Sequence, residues 1–221
     1  MQRLASFVLV ACLVTVAAVA QTRRTTPARK SASARKTEPA GLKCPSLLGI
    51  GLKTRLSFCD VPVGREPADG ITVVIPPHRG ATVLTFDLHN RLTYSEALVR
   101  ERRAYARHTA TIGVLTMDNT LLERAVIRSE FRVAADLYDR VAGGAGPSGL
   151  KAVAPAGIEP VRVALPADAD AVVIMGEKLE VHRIDGVELF NGRGRPIAVI
   201  SNARIEYQPG PARRKPPLPP S

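Results

Sequence analysis

From Arg124 to Val133 the chain changes character at almost every residue. Ala125, Ile127, Ser129, Phe131 and Val133 fall on one side, with Arg124, Arg128, Glu130 and Arg132 on the other. A period of two puts alternate side chains on opposite faces of an extended backbone, so this stretch predicts a β-strand with one buried face. The period recurs from Ala104 to Met117, where Ala106, His108, Ala110, Ile112 and Val114 oppose Arg107, Thr109 and Thr111. From Thr82 to His89 it sets Leu84, Phe86 and Leu88 against Val83, Thr85 and Asp87. From Ile197 to Tyr207 it places Ile197, Val199, Ser201, Ala203, Ile205 and Tyr207 on one face.

Shorter apolar runs at Ile71 to Ile75, Leu150 to Val153, Val161 to Leu165 and Ala171 to Met175 read as further strands. Leu179 to Arg183 and Val187 to Phe190 flank Asp185-Gly186, a hairpin signal. Two stretches differ. Ser95 to Arg103 opens on a helix-capping serine and is rich in helix formers, and Ala134 to Val141 reads as a helical turn. About eight to ten short strands with Gly/Pro connections predict an all-β fold. The expectation is a single antiparallel β-sandwich, jelly-roll or immunoglobulin-like, with one or two short helices and disordered tails; a closed barrel is the alternative.

Residues 1–20 carry a targeting pattern. Arg3 precedes an apolar run from Leu4, and Ala18-Val19-Ala20 supplies the small-x-small cleavage signal before Gln21. A secreted or periplasmic protein with a cleaved signal peptide is expected. Leu9-Val10-Ala11-Cys12 resembles a lipobox, but Cys12 lies inside the apolar run, where a lipidated cysteine does not open a polar linker. An uncleaved anchor is a further alternative. Residues 21–43 read as a basic disordered linker, because they hold almost no large apolar side chain. The sandwich is expected over 44–208, followed by a Pro-rich basic tail over 209–221.

The net charge of +11 suggests a nucleic-acid binder until the charges are placed. Cys44 to Gly210 holds 20 basic and 19 acidic residues, so the globular part is nearly neutral. The excess sits in the two flanks. Sequence-specific nucleic-acid recognition is not expected; salt-sensitive contact of the basic tails with an anionic surface is.

Removal of residues 1–20 leaves Cys44 and Cys59. An even pair in an exported chain predicts a disulfide, with two free buried thiols as the alternative. The spacing excludes a CxxC redox centre.

No catalytic motif stands out. His78, His89, His108 and His182 form no HExxH or HxH pattern, and no serine lies in a GxSxG elbow. Asp87 and His89, two apart, share a strand face and could form a carboxylate–imidazole pair. Asp87, Asp118, Glu130 and Glu206 are carboxylate candidates by type. Asp168-Ala169-Asp170 and Asp118-Asn119 are calcium-type loop oxygens that ordinary turns also use. Asn191 to Arg195 is a Gly-rich basic loop, for which a hairpin connection suffices. No tryptophan is present to build a sugar-stacking platform.

The reading is therefore an exported non-enzymatic sandwich that binds an extracytoplasmic partner or envelope component. No metal or cofactor is expected. Ligand contact is expected in loops at one end: His78 and Arg79, Asp118 and Asn119, and Gly143 to Gly149. The alternative is a secreted hydrolase of polysaccharide or peptide whose carboxylates converge in the fold.

Overall fold

In a computed structural model of the chain, residues 34–141 and 152–211 are described. The stretch read as a signal peptide, Gly143 to Gly149 and the tail from residue 212 lie outside them. Twelve strands among the described residues form two antiparallel sheets. The first runs β3 (Leu47–Ile50), β4 (Ser57–Pro62), β12 (Pro196–Tyr207), β6 (Thr82–Tyr94), β9 (Ala152–Leu165), with β1 (Lys36–Pro39) also paired to β12. The second runs β2 (Gly41–Lys43), β5 (Ile71–Val74), β10 (Ala171–Arg183), β7 (Ala106–Thr116), β8 (Leu121–Phe131), with β11 (Gly186–Phe190) also paired to β10. The expected β-sandwich is present.

Alternation explains the core between the sheets. Leu84, Phe86 and Leu88 of β6 join Ala110, Ile112 and Val114 of β7, Ile174 of β10, and Ala198 and Ile200 of β12 in one buried cluster. Each of the larger of these side chains contributes about 1.5–3 kcal/mol on leaving water. A satellite cluster of Leu92, Tyr94, Phe131 and Ala152 to Ala156 closes one end. Asn90 lies near the boundary of the two clusters. Its amide donates to the carbonyls of His108 and Ile127 and to the Ser129 hydroxyl, tying the first sheet to the second. The capping serine behaves as its type predicts: Ser95 Oγ accepts from the Leu98 amide and starts α1 (Glu96–Arg100). Ala134–Asp136 forms a single 3-10 turn.

Four boundaries differ from the sequence reading. Strands begin at Lys36, inside the stretch read as linker. Lys36↔Tyr207 to Pro39↔Arg204 add β1 to the first sheet, and Gly41↔Val74 to Lys43↔Thr72 add β2 to the second. Edge strands are held by backbone hydrogen bonds, so a sequence poor in apolar side chains can still build them. Arg35 and Lys36, counted among the tail charges, pair with Glu206 and Glu38. At the other end, Pro209 bridges to His78, and the Gly210 amide donates to the Pro77 carbonyl.

The remaining differences come from breaks in register. β12 does not keep one face inward, because its register shifts between Pro196 and Ala198 and again between Ser201 and Arg204. Ala198, Ile200, Ile205 and Tyr207 enter the main core, while Val199 packs with Phe58 and Val141 in a separate cluster. A bulge moves the alternation by one residue, which a fixed period cannot show. The two runs read as separate strands on each side of Gly157 are a single β9, and those around Gly176 are a single β10 with a bulge.

Cys44 and Cys59 form the expected disulfide, Cα–Cα 5.9 Å apart. Cys44 follows β2 of the second sheet and Cys59 lies in β4 of the first, so the bond crosses the sandwich.

Candidate functional site

Two of the three expected ligand loops, those of His78-Arg79 and Asp118-Asn119, lie at one end, and the third, Gly143 to Gly149, is outside the described residues. Val74↔Ala171, Val172↔Thr116 and Thr82↔Leu165 place the β5–β6, β7–β8 and β9–β10 connections there. His78 and Arg79 are held by the chain after β12: the Arg79 amide donates to the Gln208 carbonyl. His78 Nδ1 lies 2.9 Å from the Pro76 carbonyl. Asn119 takes the positive φ of the β7–β8 turn, and its amide donates to the Arg65 carbonyl. Asp118 is bonded to Thr116, which holds its carboxyl below the usual range. The two loops of calcium-type oxygens meet, because Asp118, Asp168 and Asp170 line one open groove of about 610 Å³ with Met117, Leu122 and Pro166. Among the described residues, no three His, Cys, Asp or Glu side chains are arranged to hold a metal ion.

The Asp87–His89 pair does not assemble as a carboxylate–imidazole couple. Both residues lie on the outer face of β6, but the Asn202 amide donates to Asp87. His89 Nδ1 is 2.6 Å from the Gly157 carbonyl, and Nε2 is 2.9 Å from Ser201 Oγ. A carbonyl can only accept, so Nδ1 carries the proton and Nε2 accepts from the serine hydroxyl. This is the hydrogen-bond polarity of a nucleophile and its base. Access is missing. His89 is 0% and Ser201 2% exposed. The rings of Tyr138 and Phe58 stand 4.4 and 5.5 Å from the imidazole. Burial, partly offset by the Gly157 bond, holds His89 below the usual histidine range. The other carboxylates stay apart: Asp87 lines a cavity of about 140 Å³ with Arg162 and Asn202 and no second carboxylate. Glu206 is tied to Arg35 and Arg162, and Glu130 to Arg132.

At the opposite end a second concavity opens. β12 pairs with β6 only as far as Ala198↔Asn90, whereas β9 follows β6 to Tyr94. Past that point the first sheet leaves β7 and β10 partly uncovered. The resulting cleft, about 130 Å³, is lined by Arg91, Thr93, His108, Arg183, Phe190 and Arg195 among others, with no carboxylate in the lining. Asp60, itself buried, holds Arg91 through Nε at 2.9 Å, and Ser46 also bonds to that carboxylate. Arg183 is paired with Glu188. Arg195 lies with its guanidinium 3.7 Å from the Phe190 ring centroid. His108 is 4% exposed, and its Nδ1 is buried without a hydrogen-bond partner. Burial first, and then Arg183, push it down to about 4, so the ring is neutral at pH 7.

Sequence reading placed His108 on an inward face but did not find this cleft, whose residues come from β6, β7, β10, β11 and the β11–β12 loop. The Gly-rich basic loop ending at Arg195 was its one local trace.

No protein-family model and no curated protein matches the chain. Among solved structures it is similar to the K1 cleaved adhesin domain of Lys-gingipain from Porphyromonas gingivalis W83. Identity is 11% and the TM-score 0.33, over 80% of this chain and 91% of that one. A likeness at that level carries no functional argument.

Proposed function

We propose that the protein is an exported, non-enzymatic β-sandwich that binds an extracytoplasmic partner through the ends of the sandwich. One observation carries this reading: the Ser201–His89 pair, which has the composition of a catalytic site, is sealed under Phe58 and Tyr138. An open groove and a polar cleft lie at the two ends, as expected where loops on a rigid scaffold make contact. The inter-sheet disulfide supports an oxidising compartment. Among the described residues no helix is long and apolar enough to cross a membrane.

A specific observation favours the hydrolase as a second reading: three aspartates, Asp118, Asp168 and Asp170, share one groove. The two readings separate on a panel of soluble neutral polysaccharides, acidic polysaccharides and peptides, scored for both saturable binding and product release. Binding without product is the expected result. Release of product that Asp118→Asn abolishes would replace the binding module with the hydrolase.

A further inference from the structure

We propose that the arginine-lined cleft binds a single oxyanion group, a carboxylate, sulfate or phosphate. This rests on the binding-module reading and names the chemistry of one of its sites. The lining of the cleft carries charge of one sign. Three guanidinium groups line the same 130 Å³ with no carboxylate among the lining residues. Asp60 and Glu188 offset two of these charges from behind, and Arg195 has only the Phe190 ring. His108 lies on the same wall and is neutral at pH 7, so it adds no charge that would compete with the guanidinium groups for an anion.

The chemistry of the wall selects the guest. Guanidinium forks match the paired oxygens of carboxylates and the edges of sulfate and phosphate. The volume admits one such group and little else, so any larger ligand projects outward from it. The source is either a free inorganic ion or an acidic group carried by a sugar. These share the recognition chemistry and differ in what lies outside the cleft.

The test is a titration of the isotope-labelled full-length chain, followed by NMR, with sodium phosphate, sodium sulfate and sodium glucuronate. Sodium chloride at matched ionic strength is the reference. The expected result is a saturable shift of the His108 ring and of the Arg183 and Arg195 Nε–H signals with at least one oxyanion and not with chloride. Saturation should also raise the titration midpoint of His108, because an adjacent anion favours the imidazolium. Arg195→Gln should weaken the interaction at least tenfold with the circular dichroism spectrum unchanged; Arg128→Gln on β8 should not weaken it. Arg91 is not the residue to change, since Asp60 would lose a buried partner. Tighter binding of phosphate or sulfate assigns a free ion, and tighter binding of glucuronate assigns an acidic sugar. No saturation with any of the three, or equal affinity in Arg195→Gln and Arg128→Gln, overturns the site. If it fails while saturable binding to the polymer panel persists, the oxyanion cleft falls and the binding module stands.

Discussion

His89 and His108 sit in opposite situations with the same burial. Each is almost completely withdrawn from solvent and held neutral by that withdrawal. Around His89 the surroundings are complete: a carbonyl takes one ring nitrogen, a hydroxyl the other, and Phe58 and Tyr138 cover the ring. Around His108 they are not, and its Nδ1 is unpaired beside three arginines. A residue type with catalytic reputation is thus structural where its hydrogen bonds are satisfied. The histidine of an alternating strand, with no catalytic pattern around it, is the one that lines a cleft with three arginines.

The contrast can be broken most strongly from the covered side. Phe58→Ala removes a ring that is 0% exposed and should cost about 3–5 kcal/mol in urea denaturation. A loss well under that range would mean that the cover over His89 is loosely packed. Acid separates the two regions next. The folded chain keeps His108 deprotonated down to about 4, while the unfolded chain takes a proton near 6.5. Stability should therefore be highest above 6.5, decline as pH falls from 6.5 to 4, and level off in this component below 4. The difference between wild type and His108→Leu at pH 7 and pH 4 should amount to about 3 kcal/mol, and a pH-independent difference would contradict it.

Ser201→Ala should cost about 1–3 kcal/mol, because it leaves His89 Nε2 buried and unpaired. His108→Leu at pH 7 is the smallest effect, within about 1 kcal/mol of wild type or stabilising, since it replaces an unpaired polar group with an apolar one of similar size. If the serine change were harmless and the His108 change severe, the assignment of satisfied and unsatisfied sites would be reversed.

What the sequence discloses follows the same division. β7 and β8 are legible over most of their length, because the period of two holds until their register shifts between Val114 and Leu115. β12 is legible as a strand but not in its facing, since bulges near Ala198 and Asn202 reset the parity. β1 and β2 are illegible, being short edge strands with few apolar side chains, placed by backbone pairing and by single contacts such as Leu42 on the core and Glu38 with Tyr207. The disulfide is legible by counting. The cleft is illegible for a different reason: Arg91, His108, Arg183 and Arg195 lie on separate elements, and no local pattern relates them.

The placement of β12 has a consequence for the order of events in folding. It is the hub of the first sheet, with β1, β4 and β6 all bonded to it, and it is the last strand among the described residues. A ribosome or a translocation pore delivers the polypeptide from its amino end, so those three strands emerge with their common neighbour still to come. The second sheet can gather β5, β7, β8 and β10 before then. The first sheet can therefore form its β3–β4 and β6–β9 pairs early but joins them only when delivery finishes, and a truncation before Pro196 would leave those pairs apart and β1 without a neighbour.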